Sequence, residues 1–148
     1  AGGAGRVAAM KIAATGVKRL FLVNRTVSKA EAIAFEIQQR FPAVDVHVGY
    51  PQTEVDLVLN STSLGLQQDE PLPLDTSAFA LNKSRAVYDM IYKPTETPLL
   101  AAAKAAGCKT ANGLGMLLQQ GAKALEIWSG QTAPIDVMHA ALKEAVYE

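Results

Sequence analysis

The chain alternates short apolar runs with amphipathic stretches, and this order constrains its fold more than any other feature. Apolar runs predict strands, and apolar residues at helical spacing predict helices between them. The predicted strands span residues 19–23, 45–48, 55–59, 86–91 and 108–111. The predicted helices span residues 5–15, 28–41, 98–106, 114–129 and 135–147. Both apolar runs 19–23 and 55–59 predict buried strands, and the alternation is typical of an α/β domain with a mostly parallel sheet.

The composition is that of a folded domain without a strong overall charge. Of the 148 residues, 49% are hydrophobic and 19% are charged, and 14 Lys and Arg residues balance 14 Asp and Glu residues. A neutral chain has no overall field that attracts nucleic acid. No apolar run reaches the roughly 20 residues that a membrane helix needs. We therefore expect one cytoplasmic domain over residues 1–148 that binds neither nucleic acid nor a membrane.

The few cysteines and histidines predict neither a disulfide nor a metal centre. Cys108 is the single cysteine, and His47 and His139 lie far apart in the sequence. We expect Cys108 to be buried and inert, and both histidines to be structural or exposed. Redox chemistry would therefore need a bound cofactor.

The first six residues, AGGAGR, stand directly before a predicted helix. Glycines at such a place let phosphates approach a helix amino terminus without interference from Cβ atoms. The segment resembles a GxGxxG motif without its first glycine, with Gly2 beside a pyrophosphate and Gly5 allowing close helix packing. A flexible, glycine-rich chain end is the alternative interpretation.

Residues 24–29, NRTVSK, follow the first predicted strand, where an NAD site usually carries Asp or Glu. Arg25 offers a planar fork of donors to a phosphate, and Thr26 and Lys29 add a hydroxyl and a second cation. These residues favour NADP, which carries a 2′-phosphate, over NAD. The alternative is that Arg25 and Lys29 are solvated charges, although cations at a helix amino terminus oppose the helix dipole.

Five sequence blocks together resemble the carboxyl-terminal, NADP-binding domain of the shikimate dehydrogenase family. They are AGGAGR at 1–6, NRTVSK at 24–29, NSTSLG at 60–65, VYDMIYKPTETPLL at 87–100 and NGLGMLLQQGAKALEIW at 112–128. The first two blocks also resemble other NADP-dependent enzymes, including glutamyl-tRNA reductases, and the last two favour the shikimate dehydrogenases. The resemblance implies a Rossmann-type, doubly wound sheet with carboxyl-terminal helices.

The resemblance also implies a set of cofactor contacts. Gly2, Gly3 and Ala4 would hold the pyrophosphate of NADP. Asn24, Arg25, Thr26 and Lys29 would hold the 2′-phosphate. Asn60, Ser61, Thr62 and Ser63 would border a ribose, and Gly113 and Met116 the nicotinamide. Met116 could instead be an ordinary core residue.

Members of this family reversibly reduce 3-dehydroshikimate to shikimate with NADPH, so the resemblance also implies substrate contacts. Tyr92 and Gln120 match the residues that contact the carboxylate and hydroxyl groups of the substrate. Tyr92 could instead pack beside Pro94. Gln120 is expected to adjoin the apolar stripe of its helix, with Gln119 as the solvent-facing neighbour.

The resemblance places the family's catalytic Lys and Asp in an amino-terminal domain that this chain lacks. Asp89 and Lys93 have no partner at a recognisable spacing, so we expect no catalytic residue here and no activity from the chain alone. The sheet is also expected to lack its first, central strand. That strand could belong to a longer polypeptide, to another protein or to a second copy in a homodimer. The chain also carries Asn112 where family members often have Asp.

Two other functions remain open at this stage. A quinate-using relative is one, although such relatives often carry an acidic residue where Arg25 stands. A non-catalytic NADP-binding module is the other, and it would have no use for the substrate contacts of Tyr92 and Gln120.

Overall fold

The computed structural model describes residues 2–67 and 69–147, which form alternating strands and helices. The strands are β1 (Arg19–Leu22), β2 (Asp45–Val48), β3 (Val55–Asn60), β4 (Ser84–Asp89) and β5 (Lys109–Ala111). The helices are α1 (Gly3–Ala14), α2 (Val27–Arg40), α3 (Pro98–Ala105), α4 (Leu114–Ser129) and α5 (Ile135–Tyr147). The predicted α/β class is confirmed, and half of the predicted bounds match the observed bounds, while the others differ by one or two residues.

Every strand pair among the described residues is parallel, but the strands form two sheets. One sheet has the order β2-β1, and the other has the order β3-β4-β5. Leu20 lies opposite Val46 in the first sheet, and Val58 lies opposite Val87 in the second. A doubly wound sheet has the strand order 3-2-1-4-5-6. In this order β2 and β1 correspond to strands 3 and 2, and β3, β4 and β5 correspond to strands 4, 5 and 6. No described strand occupies the position of strand 1.

Two strands that the sequence predicts to be buried are in fact partly exposed. Leu57, in the middle of β3, is 46% exposed, and Val23 lies just beyond the end of β1 and is 45% exposed. The reason is the open position between these strands, because a central strand is buried only when neighbours flank both of its edges.

Each sheet has its own apolar core. Helices α1 and α2 pack on the first sheet through residues that include Ala9, Ala13, Ile33, Ile37 and Val46. Helix α3 packs on the second sheet through residues that include Val87, Leu99, Leu100, Ala103 and Cys108. The predicted burial of Cys108 is confirmed, and its Sγ lies 3.1 Å from the carbonyl oxygen of Leu81.

The helix ends follow the sequence signals only in part. Gly16 and Gly107, just beyond α1 and α3, have φ of +80° and +83°, the left-handed conformation that commonly ends a helix. Thr97 caps α3 by accepting a hydrogen bond from the Leu100 N–H at 3.3 Å. In contrast, α1 and α2 begin without any side-chain cap. No helix in the described part of the chain is long and apolar enough to cross a membrane.

Gly113 provides the first testable prediction, because a Cβ at this position would overlap the carbonyl oxygen of Met90. The backbone would have to move, so Gly113→Ala should lower the free energy of unfolding by about 1–3 kcal/mol. Gly115→Ala is the matched control, since a Cβ there meets no atom within 4 Å and lies in the first turn of α4. Urea unfolding followed by circular dichroism measures both variants. Equal stability of the two would contradict the close packing of Gly113 on Met90.

Candidate cofactor and substrate site

The predicted site residues follow the carboxyl ends of the strands. Asn24 to Lys29 follow β1, Ser61 to Ser63 follow β3, Tyr92 follows β4, and Gly113 follows β5. Ligands of open α/β sheets bind at this edge, because the loops after parallel strands meet there. The fold therefore brings the predicted residues to one edge of the domain.

The amino terminus of α1 is open, and no side chain of the described residues caps its first N–H groups. The N-cap residue is Gly2, which has no side chain to accept from the helix N–H groups, and the first turn contains no acidic residue. A Cβ on Gly2 or Gly3 would meet no atom of the chain within 4 Å, and Ala4 is exposed. The chain's own packing thus does not require glycine here. Free N–H groups at a helix start, with open space before them, suit a phosphate group.

The loop between β1 and α2 presents unused donors to solvent. The Asn24 side-chain amide donates to the Thr26 carbonyl at 2.7 Å and so holds the turn. Arg25, Thr26 and Lys29 are exposed, and α2 has neither a side-chain cap nor an acidic residue in its first turn. Within residues 2–67 and 69–147, neither Arg25 nor Lys29 forms an ion pair. Two unpaired cations at the positive end of a helix dipole favour an external anion.

Two arginines on α1 and α2 share one carboxylate. The Arg6 Nε donates to Glu36 at 2.8 Å, and Arg40 lies 3.0 Å from the same carboxylate. Hydrogen bonding from Arg6 lowers the pKa of Glu36 below its ordinary value. Arg6 and Arg40 thus share the Glu36 carboxylate, whereas Arg25 and Lys29 pair with no carboxylate among the described residues.

The four predicted residues of the loop after β3 form two pairs with different roles. Asn60 is buried, and its side-chain oxygen accepts from the N–H and the hydroxyl of Thr62 at 3.0 and 2.8 Å. The side chains of Asn60 and Thr62 therefore shape the loop from within. Ser61 is half-buried and Ser63 is exposed, and neither hydroxyl has a partner among the described residues. These two hydroxyls are the ones available to a ligand.

Glu70 holds the far end of this loop, a role that the sequence did not predict. Its Oε2 accepts from the N–H groups of Gly65 and Gln67 at 2.8 and 3.1 Å. These hydrogen bonds, with that of Gly65 the strongest, lower the pKa of Glu70. No local pattern in the sequence signals a carboxylate that closes a loop from five residues away.

Asp89 is a second residue whose role the sequence did not predict. It is fully buried, and its carboxylate accepts from Asn60 Nδ2 at 3.0 Å and from Thr97 Oγ1 at 2.7 Å. The Ile91 N–H donates to it at 3.1 Å. These partners are neutral donors from the surrounding loops, so they give Asp89 a structural role and do not test the expectation that it has no catalytic partner. An acidic residue inside an apolar strand was the available signal, since a buried carboxylate needs hydrogen bonds.

Burial and the neighbouring Asp89 charge both affect the pKa of the Tyr88 phenol. Burial is the larger effect, and together they raise the pKa of the Tyr88 phenol. Tyr88 therefore stays neutral at physiological pH and contributes no charge to the site.

The two predicted substrate residues are accessible. Tyr92 is 36% exposed beyond the end of β4, and Gln120 is exposed on α4 without a partner among the described residues. Gln119 is exposed as well, so the expected contrast between the two glutamines is wrong. The apolar stripe of α4 is narrower than predicted, because Leu114, Leu118 and Ala122 are its buried residues.

Gly113 and Met116 lie at the start of α4, beside the loop that carries Tyr92. The Gly113 N–H donates to the Ile91 carbonyl at 3.0 Å, which ties the loop before Tyr92 to this helix. Gly113 is buried and Met116 is half-buried. Met116 therefore keeps part of its surface available to a ligand.

Asn112 has a structural explanation. Its amide nitrogen donates to the Thr95 carbonyl and to the Tyr147 hydroxyl, both at 2.9 Å, and its oxygen accepts from the Leu114 N–H at 3.1 Å. An aspartate has no N–H to donate to the Thr95 carbonyl. The amide therefore joins the loop after β4 to the end of α5.

The described residues contain no group of three or more His, Cys, Asp or Glu side chains that could hold a metal ion. The His47 ring stacks on Phe21 with a centroid distance of 5.0 Å, and its Nε2 lies 2.9 Å from Asp45. His47 therefore has a local structural role, as expected, and His139 is half-buried on α5.

Known proteins with similar sequences and structures include shikimate dehydrogenases. Residues 113–143 match the family described as the Shikimate 5'-dehydrogenase C-terminal domain. The shikimate dehydrogenase (NADP(+)) of Desulforamulus reducens is 38% identical over 99% of this chain and 53% of its own length. The crystal structure of shikimate 5-dehydrogenase from Thermus thermophilus, in complex with NADP(H) and shikimate, gives a TM-score of 0.79. It is 32% identical, over 97% of this chain and 52% of that one.

This chain is a carboxyl-terminal domain of the shikimate dehydrogenase family. It spans about half the length of the curated relatives that it matches. A quinate dehydrogenase from Corynebacterium glutamicum in complex with NAD is also similar, with a TM-score of 0.81 and 28% identity over 97% of this chain and 52% of that one. The Rossmann-type fold predicted for a shikimate dehydrogenase domain is confirmed.

The Asp89 cluster of this shikimate dehydrogenase domain gives the second prediction. In Asp89→Asn one carboxylate oxygen becomes an amide N–H₂, so one of the three donors loses its acceptor. The free energy of unfolding should fall by about 1–3 kcal/mol, the cost of an unsatisfied buried polar group. Asp56→Asn is the control, because Asp56 is exposed and pairs only with exposed Arg85 at 3.2 Å. Urea unfolding measures both variants. Equal shifts of the two unfolding midpoints would contradict a stabilising role of Asp89.

Proposed function

We propose that residues 1–148 form the NADP-binding half of an NADP-dependent shikimate dehydrogenase. The complete enzyme would interconvert 3-dehydroshikimate and shikimate in the biosynthesis of aromatic amino acids, with NADPH as the hydride donor. The observation that carries the proposal is the loop of Arg25, Thr26 and Lys29, exposed and unpaired at an uncapped helix start.

The residues of this loop fit a 2′-phosphate. Arg25 and Lys29 supply two positive charges, and the Thr26 hydroxyl makes no cap hydrogen bond to its own helix. An acidic residue here would accept hydrogen bonds from the ribose of NAD and would repel a phosphate. The chain has Asn24 and Arg25 instead, so it favours NADP.

The rest of the cofactor would lie along the same edge. The open amino terminus of α1 at Gly2, Gly3 and Ala4 suits the pyrophosphate, since its N–H groups have no side-chain cap. The free hydroxyls of Ser61 and Ser63 would reach a ribose. Asn60 and Thr62 would act by holding that loop in shape. The accessible part of Met116 and the backbone of Gly113 would border the nicotinamide.

Two accessible polar side chains would contact the substrate. The Tyr92 hydroxyl donates or accepts, and the Gln120 amide does both, so together they can bind the hydroxyl and carboxylate groups of a polyhydroxylated ring. The Gly113–Ile91 hydrogen bond fixes the two segments relative to each other.

The chain alone would be inactive, because the catalytic acid and base would come from an amino-terminal half. Ile127, Trp128 and Val137 are large apolar residues that lie exposed on α4 and α5, and that half would cover them. We further propose that the complete enzyme is cytoplasmic, which suits a single reduced cysteine. A homodimer is also part of the proposal, and sedimentation of the complete enzyme would measure it.

A quinate dehydrogenase is the second candidate, supported by the similarity to the Corynebacterium glutamicum enzyme. That relative is in complex with NAD, whereas Arg25 and Lys29 favour a phosphorylated cofactor. A non-catalytic NADP-binding module is the third, and the accessible Tyr92 and Gln120 side chains speak against it.

The cofactor assignment predicts a selective effect of Arg25→Ala. Loss of the guanidinium should weaken NADP binding by about 1.5–3 kcal/mol, the scale of a hydrogen bond to a charged group, or about 10- to 150-fold. NAD affinity should hardly change, because NAD lacks the 2′-phosphate. Calorimetric titration of the folded chain with each cofactor measures both values.

Arg85→Ala is the matched control for this experiment. It removes the same charge near the amino-terminal end of β4, away from the site. It should leave NADP affinity unchanged. Equal losses for NADP and NAD in Arg25→Ala would refute the 2′-phosphate contact.

The substrate assignment predicts an effect of Gln120→Ala on turnover. The variant is made in the chain joined to the amino-terminal half of the Desulforamulus reducens relative. Loss of the amide should lower kcat/KM for shikimate at least about tenfold, for one lost hydrogen bond, with NADP affinity unchanged. Gln119→Ala, on the same helix and also exposed, should retain activity. Unchanged turnover in Gln120→Ala would contradict the assignment.

A further inference from the structure

The loop between β4 and α3 spans residues 90–97, and we call it the Tyr92 loop. Tyr92, one of the two proposed substrate contacts, lies near its centre and is exposed. Residues 92–94 form no hydrogen bond with the rest of the described chain. The position of Tyr92 therefore depends on how the two ends of this loop are held.

The end of the Tyr92 loop next to β4 is held through its backbone. The Met90 N–H donates to the Asn60 carbonyl at 3.0 Å. The Gly113 N–H donates to the Ile91 carbonyl, also at 3.0 Å. Gly113 also packs so closely on Met90 that a Cβ would overlap the Met90 carbonyl oxygen. Gly113, just before α4, is thus in direct contact with the first part of the loop.

The end of the Tyr92 loop next to α3 is held by two side chains. The Thr97 hydroxyl donates to the Asp89 carboxylate at 2.7 Å. The Asn112 amide donates to the Thr95 carbonyl at 2.9 Å, at the first residue after the unbonded centre of the loop. Asn112 directly precedes Gly113 in the sequence, so one short segment before α4 holds the loop on both sides of its centre.

The orientation of the Asn112 amide is fixed by backbone groups. Its oxygen accepts from the Leu114 N–H at 3.1 Å, and its nitrogen faces the Thr95 carbonyl. The first group can only donate and the second can only accept, so a rotated amide would lose both hydrogen bonds. The amide also donates to the Tyr147 hydroxyl at 2.9 Å. The Tyr92 loop, the start of α4 and the end of α5 therefore meet at this half-buried side chain.

We propose that Asn112 is a positioning residue that sets the place of Tyr92 relative to α4 through its hydrogen bond to the Thr95 carbonyl. Gln120, the other proposed substrate contact, lies on α4, and the same amide binds the Leu114 N–H at the start of that helix. This role rests on the proposed function of Tyr92 and Gln120. Geometry matters there because a displacement of about 1 Å in a site can lower a rate by about 100-fold.

Two substitutions of Asn112 isolate the hydrogen bond to Thr95. Asn112→Asp keeps an acceptor for the Leu114 N–H but adds a charge, whereas Asn112→Ala adds no charge but removes that acceptor. Both variants lose the donor to the Thr95 carbonyl. An effect that they share is therefore due neither to the charge nor to the start of α4. Tyr147→Phe removes only the contact with α5.

Kinetics measure the effect in the chain joined to the amino-terminal half of the Desulforamulus reducens relative. Asn112→Asp and Asn112→Ala should each raise KM for shikimate about three- to tenfold, the scale of one hydrogen bond, with NADP affinity unchanged. Tyr147→Phe should leave KM unchanged. Asn82→Asp and Asn82→Ala are the matched controls, because Asn82 is exposed and makes no side-chain hydrogen bond among the described residues. They should also leave KM unchanged.

The double variants with Tyr92→Phe show whether the effect acts through Tyr92. Tyr92→Phe removes the hydroxyl that Asn112 would place. The substitutions of Asn112 should then raise KM for shikimate no further. An equal rise in KM with and without the Tyr92 hydroxyl would show a general structural effect and overturn the proposal.

Fluorine NMR of the full chain tests the placement of Tyr92 without substrate. The four tyrosines are replaced by 3-fluorotyrosine, and each resonance is assigned with a Tyr→Phe variant. Both Asn112 variants should shift the Tyr92 resonance and leave that of Tyr50 unchanged. Tyr147→Phe should leave the Tyr92 resonance unchanged.

Three results would overturn the proposed role of Asn112. They are an unshifted Tyr92 resonance in both folded Asn112 variants, an unchanged KM for shikimate, or a rise in KM that Tyr147→Phe reproduces. Circular dichroism checks that each variant is folded, and either Asn112 variant is sufficient if the other does not fold. A joined protein that binds NADP but never turns over shikimate would refute the proposed function instead, and the NMR measurement would still test the placement of Tyr92.

Discussion

The carboxyl-terminal edge of the second sheet depends on the buried Asp89 carboxylate. Asn60 at the end of β3 and Thr97 at the start of α3 both donate to it, as does the N–H of Ile91. Asn60 in turn holds the turn at Thr62, and Thr97 caps α3. One negative charge, satisfied entirely by neutral donors, thus fixes the loops that carry the serine hydroxyls and Tyr92. The cost of burying that charge is offset only if every donor stays in place, so these loops are held in one arrangement.

The order and class of the elements could be predicted from local sequence, because apolar periodicity reports which residues face a core. Residues 114–129 and 45–48 match their predicted bounds for this reason. The cationic loop at Arg25 was also predictable, since it depends on residue types next to a strand end. Contacts between residues far apart in the sequence could not be predicted in this way. The roles of Asp89 and Asn112 depend on partners far away in the sequence, namely Asn60 and Tyr147. The exposure of Leu57 depends on a strand absent from the described residues, and periodicity alone predicts burial there.

The cationic loop at Arg25 and the unpaired edges of β1 and β3 show the same physical condition in two forms. Around Arg25 and at the start of α1, donors at helix termini have no internal acceptor. Along β1 and β3, donors and acceptors of the backbone have no ladder partner. A folded chain normally satisfies such groups internally when they are not in water. Both regions thus leave polar groups without a partner among the described residues. The similarity to larger shikimate dehydrogenases, of which this chain covers about half, is in agreement with that view.

Trp128 lies on the solvent side of α4 with 83% of its surface exposed, and it is the chain's single tryptophan. Its indole ring is therefore largely in contact with water in the folded domain, and its emission should resemble that of an unfolded chain. Unfolding of the sheets should change this emission little. A domain that covers α4 would instead shift the emission to shorter wavelength. Intrinsic fluorescence would therefore report the proposed assembly with an amino-terminal half separately from folding of this chain.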